Sequence, residues 1–134
     1  MNDRIKAYFA GEWRILRIRR ETLPALEGVL GDSAYATFRR IVGGVWTVSE
    51  LRAVLEFAML SDGNAARMVL ASQMGMTINP SVFGGGTVSE TLGTRPVAPY
   101  ALLAARLLEA ALFDIPDDRS TFDEREENGE EAVT

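Results

Sequence analysis

The sequence predicts a mainly α-helical domain carrying a short N-terminal β-hairpin, an α+β chain folded as a compact bundle of about five helices. Three observations predict it. Residues 6–9 and 13–18 are rich in aromatic and β-branched types on either side of Ala10-Gly11-Glu12, residues 22–74 repeat apolar side chains at helical spacing between caps and glycines, and residues 97–113 are dominated by alanine and leucine. Residues 1–116 are read as one domain with a long loop over 76–96, and residues 117–134 as a disordered acidic tail.

The hairpin comes first in the chain. Lys6 to Phe9 and Trp13 to Ile18 suit strands, and the three residues between them include the glycine of a tight connection. A two-stranded ribbon is marginal alone, so it must pack on something. The cluster Arg14, Arg17, Arg19 and Arg20 is read as a solvated strand edge whose charge discourages edge-to-edge pairing.

Helices follow. Thr22 stands at an N-cap position, Pro24 in a first turn where its missing N–H is harmless, and Gly31 ends the stripe of Leu23, Leu26, Val29 and Leu30. Asp32-Ser33 caps a second helix with Tyr35, Phe38, Ile41 and Val42 on one side, and Gly43-Gly44 stops it. Thr47-Val48-Ser49-Glu50 reads as a capping box before Leu51, Val54, Leu55, Ala58 and Met59. Asp62-Gly63-Asn64 then breaks the chain and caps a helix from Ala65 to about Met74. Residues 76–96 contain Asn79-Pro80, three consecutive glycines from Gly84, Gly93 and Pro96, with no sustained period, which predicts the loop. In the closing helix Tyr100, Leu103, Ala104, Leu107 and Ala111 share a face opposite Arg106 and Glu109, and Ile115-Pro116 ends it.

Charge divides the chain. The net charge is −5, yet eight acids against two arginines give residues 117–134 a charge of −6, which leaves residues 1–116 at +1. With only Phe122 and Val133 to bury, this segment does not offset its ordering entropy, so its deletion is expected to leave the fold intact and to lower the solubility of any complex.

Composition also narrows the chemistry. The chain has no histidine and no cysteine, and it lacks the commonest general base, the commonest metal ligand and any thiolate site. No catalytic, cofactor-binding or metal-ligating residue is assigned. Glu50 has a capping role, and Glu27 and Glu56 are placed on exposed helix faces. The triglycine lacks the P-loop pattern, and Lys6 is the only lysine in the chain. Nucleic acid is not expected as a partner, because the region around the arginines is nearly neutral and the tail acidic. A membrane is not expected either, since the apolar stretch 97–113 is short and interrupted. The N-terminus lacks a signal-peptide core, so a cytoplasmic location is expected. Met59, Met68, Met74 and Met76, with Trp46, form the candidate partner-binding set, suited to an amphipathic helix; core filling is the competing reading for the methionines.

Several of these features together resemble the tail assembly chaperones of gene transfer agents and related tailed phages. They are the Phe9-Ala10-Gly11-Glu12-Trp13 hairpin, the helix Leu23-Pro24-Ala25-Leu26-Glu27 leading to Leu30-Gly31, Arg40 and Gly44 ahead of an aromatic residue, the capped helix to Met59, and the closing helix. Members are sometimes labelled tail tube proteins. The resemblance covers residues 7–75 and 97–113, and departs from the family in 76–96 and in the acidic tail. It implies a non-catalytic protein, encoded by a prophage or gene transfer agent, that binds and solubilises the tape measure protein or other tail proteins during virion morphogenesis. A component of the tail tube and a small DNA-binding regulator are the alternatives, and a homo-oligomer stays open.

Overall fold

A computed structural model describes residues 2–83 and 86–127. Among the described residues the elements run β1 (Ile5–Phe9), β2 (Glu12–Leu16), α1 (Leu23–Leu30), α2 (Ala34–Val42), α3 (Val48–Ala58), α4 (Asp62–Gln73), α5 (Gly86–Thr94), α6 (Ala98–Phe113), β3 (Thr121–Asp123) and α7 (Glu124–Glu127). Single 3-10 turns lie at Arg20–Thr22, Pro80–Phe83 and Asp117–Arg119. The five helices expected from the sequence are α1 to α4 and α6. α5 and α7 are additional.

The hairpin is present, but its connection is Ala10-Gly11 alone. Their φ values of 54° and 87° are both positive, as a two-residue turn matched to strand twist requires. Positive φ strains an alanine, so something must hold it. β1 pairs antiparallel with β2 (Phe9 opposite Glu12, Ile5 opposite Leu16) and parallel with β3 (Lys6 opposite Thr121, Tyr8 opposite Asp123), giving the order β2-β1-β3. Ile5, Ala7, Phe9 and Leu16 point into the core by the two-residue alternation of strands.

The tail is therefore structured where it is described. Residues 117–127 were expected to be disordered, yet Phe122 and Glu124 are fully buried; residues 128–134 lie outside the described residues. The physical reason is local to two side chains. Phe122 joins Phe9 and Tyr100 in an aromatic cluster, with ring centroids 5.6 Å apart for Phe9 and Tyr100 and 6.2 Å for Tyr100 and Phe122. Glu124 accepts hydrogen bonds from Ala10 N (3.0 Å), Gly11 N (3.1 Å) and Tyr100 Oη (2.8 Å). A buried carboxylate with three donors is satisfied, and it holds the strained turn at the same time.

α3 is the central helix, packed against α1, α5 and α6, while α2 lies on α6 and α1 on α4. Its start is the expected capping box: Glu50 N donates to Thr47 Oγ1 at 3.2 Å, and Thr47 N donates to Glu50 Oε1 at 3.0 Å. Gly31 ends α1 at φ 74°, the left-handed conformation that suits glycine. Thr22 does not cap α1. Its hydroxyl turns back to Arg19 O at 2.6 Å inside the 3-10 turn. Ser33 caps α2 and Ser61, one residue before the expected break, caps α4.

The expected loop over 76–96 is largely helical. Asn79 Oδ1 accepts from Ser81 N at 3.1 Å and Ser81 Oγ at 2.9 Å, which folds Pro80–Phe83 into a turn with Pro80 buried. α5 then buries Val88, Thr91 and Leu92 against α3. Two turns of helix with one narrow stripe are too short for periodicity to declare them. Gly84 and Gly85 of the triglycine lie outside the described residues.

Candidate functional site

Two surfaces stand out, a cleft beside α3 and an apolar ridge on α4. Glu56 on α3 was expected on an exposed face, but it is only 6 % exposed, because the turn at Pro80–Phe83 and α5 cover that side of the helix. From Ala53 to Ala58 every residue of α3 is buried. Glu56 Oε1 lies 3.8 Å from Arg52 Nε, beyond hydrogen-bonding distance, and Oε2 is buried with no hydrogen-bond partner. Desolvation raises its pKa above the ordinary glutamate value of 4.5, and the nearby Arg52 charge only partly opposes this.

Glu56 sits between two openings. One, of about 390 Å³, is lined by Val29, Leu30, Ser49, Arg52, Ala53 and Asn79 among others; the second, of about 180 Å³, includes Met59, Leu60, Pro80, Phe83 and Val88. At the head of the larger cleft Glu50 is ionised below the usual carboxylate range. Burial works against that, and hydrogen bonds from Arg40 and Thr47 overcome it. Arg40 also reaches Asp32 Oδ2 at 2.6 Å, so one guanidinium ties the starts of α2 and α3 together. The cleft wall is thus rigid, with one carboxyl group left over.

The predicted partner-binding residues separate in space. Met68 is fully buried, so it fills the core and lines no groove. Trp46 and Met59 are half-buried and packed against the core. Met74 and Met76 are 67 % and 52 % exposed, and Leu70, which the sequence reading passed over, is 58 % exposed. Leu70 and Met74 stand four residues apart, one above the other on α4, whose opposite side packs on α1. The chain after Met76 then crosses α1 closely: a Cβ on Gly28 would lie 3.3 Å from Thr77 Oγ1. The spacing of Leu70 and Met74 was the available signal for this ridge.

The arginines do not form a solvated edge as expected. Arg14 Nε donates to Phe9 O at 2.9 Å, and Arg17 Nε lies 2.9 Å from Asp3 Oδ2, an ion pair by distance without hydrogen-bond alignment. Arg19 bonds Leu60 O at 2.9 Å and Asp62, and Arg20 bonds Ala111 O at 2.8 Å and Asp114. They tie strand and turn to the ends of α3, α4 and α6. Comparison of the chain with family models, with curated proteins and with solved structures gave no match. Among the described residues no helix is long and apolar enough to cross a membrane.

Proposed function

We propose that the chain is a non-catalytic assembly chaperone of a phage-like tail, which holds an apolar face of the long helical tape measure protein in solution until the tail is built. The observation that carries the reading is the exposed apolar set of Leu70 on α4, Met74 at its C-cap and Met76 just beyond it, on a helix otherwise anchored to the core. Flexible methionine side chains repack against varied partner surfaces, and an amphipathic helix presents apolar residues at matching intervals. Large exposed apolar side chains in a row are a docking feature of soluble proteins. The engaged state of Arg17, Arg19 and Arg20 supports a protein partner over a phosphate backbone. The resemblance to tail assembly chaperones supplies the identity of the partner, and with it a cytoplasmic site of action and a role in virion morphogenesis.

The test is co-expression with a long, helix-rich tape measure protein of a tailed phage or gene transfer agent, followed by affinity capture. Capture and solubilisation of that protein by the wild type, lost in Leu70→Glu/Met74→Glu, is the expected result. Equal capture by the double variant removes the ridge from the mechanism, and no capture by the wild type removes the function.

A further inference from the structure

We propose that the larger cleft beside α3 binds a free α-amino acid with an apolar side chain, its ammonium on Glu56 and its carboxylate on Arg52. The two side chains stand one turn apart on α3, and among the described residues neither has a hydrogen-bond partner. Arg52 Nε and Glu56 Oε1 lie 3.8 Å apart, too far to bond each other. Opposite charges left at this spacing fit a ligand that carries both. The ammonium and carboxylate of an α-amino acid are joined through one carbon, so together they bridge such a pair with each group at hydrogen-bond distance from its counter-charge. The last torsion of a glutamate is broad, which lets the unpartnered Oε2 share in that bond.

The rest of the cleft suits the same ligand. Its volume of about 390 Å³ falls within the ~300–1,000 Å³ of small-molecule sites, and Val29 and Leu30 of α1 with Ala53 of α3 give an apolar wall for the ligand's side chain. Asn79 commits its carbonyl oxygen to Ser81, which leaves its amide N–H groups for a ligand carboxylate. Depth fixes the ligand's direction. The Glu56 side chain is 5 % exposed and that of Arg52 is 43 %, so the ammonium enters first and the carboxylate stays at the mouth.

Simpler ligands meet only half of these demands. A carboxylate alone pairs with Arg52 and leaves Glu56 without a donor, whereas an amine alone satisfies Glu56 and sets its own charge beside Arg52. A zwitterion answers both. The other acid of the cleft does not compete for the ammonium, because Glu50 is already held by Arg40 and Thr47. Glu56 is desolvated by the fold itself, so the ammonium finds a carboxylate stripped of water before it arrives. The cleft shares no lining residue with Leu70, Met74 and Met76, which makes amino-acid binding and partner capture separable properties.

Titration of the isotope-labelled full chain with L-valine, L-leucine and L-phenylalanine, followed by NMR, tests the proposal. At least one of the three is expected to give saturable shifts of the Ala53, Glu56 and Asn79 amides. The N-acetyl derivative of that amino acid lacks the ammonium and its decarboxylated amine lacks the carboxylate; each is expected to bind at least tenfold more weakly. Glu56→Gln and Arg52→Gln should weaken the amino acid by a similar factor. Arg52 is exposed enough that its variant tests the site without risk to the fold. No saturable shift with any of the three overturns the proposal, and so does binding that the N-acetyl derivative, the amine or either variant matches.

Discussion

Glu124 and Glu56 are both buried glutamates on helices, 0 % and 6 % exposed, and they stand in opposite conditions. Glu124 receives three hydrogen bonds from a strained turn and a tyrosine, so its burial is compensated and it acts as a fastener between the two ends of the chain. Glu56 has one oxygen with no donor at all and an arginine too distant to bond the other. The difference teaches how to separate architecture from surplus. A satisfied buried charge belongs to the fold, whereas an unsatisfied one beside an opening is held at a cost in stability.

Removing the Glu124 side of the comparison should have the largest effect. Truncation after Pro116 deletes β3, Phe122 and Glu124 together, and a lost core phenylalanine alone is worth about 3–5 kcal/mol. The truncated chain should lose its cooperative denaturant transition. This reverses the expectation that residues 117–134 are dispensable; an unchanged unfolding midpoint would restore it. Next in size, Glu124→Ala leaves the Ala10 and Gly11 amides and the Tyr100 hydroxyl without acceptors, a loss of about 3 kcal/mol in urea unfolding. Glu124→Gln keeps one acceptor oxygen and should fall between that variant and the wild type.

Glu56 sharpens the contrast through pH. Its folded pKa lies above the unfolded value, so the folded state binds the extra proton, and stability declines as pH rises from the ordinary glutamate range through the raised value. Glu56→Gln should therefore match the wild type near pH 4 and exceed it at pH 8 by about 1 kcal/mol or less. A constant difference between the two proteins across that range would show that the Glu56 pKa is not raised by folding. The smallest effect on stability is expected at the α4 ridge, where Met74→Glu should shift unfolding by no more than about 0.5 kcal/mol while reducing partner capture.

Local signals made much of the fold legible. Thr47 and Glu50 announce the start of α3, Gly31 ends α1 through its positive φ, and the Tyr100 to Ala111 face of α6 is buried as its spacing predicts. What escaped reading depends on distant partners. Glu124 resembles any acid of a solvated run until the Ala10-Gly11 turn is placed beside it, and the three residues of β3 have no pattern apart from their pairing with β1. Glu56 was misplaced for a related reason: the elements that cover it come from 76–96, where one short stripe and an asparagine-led turn are too weak to register as structure. Of the predicted site residues, Met74 and Met76 are exposed because they fall at and beyond the end of α4, but nothing in composition separates them from the buried Met68 within it, and the sequence reading treated the methionines as one set.

The parallel pairing of β1 with β3 also sets a timetable. Ala10 and Gly11 leave the ribosome more than a hundred residues before the carboxylate that fixes them, so the nascent hairpin carries a strained bend without its acceptor throughout synthesis. Contacts of such long sequence separation form slowly. The sheet is completed only once residues 121–124 are made and free to pack, so synthesis of that short segment is the event that locks the N-terminal ribbon in place.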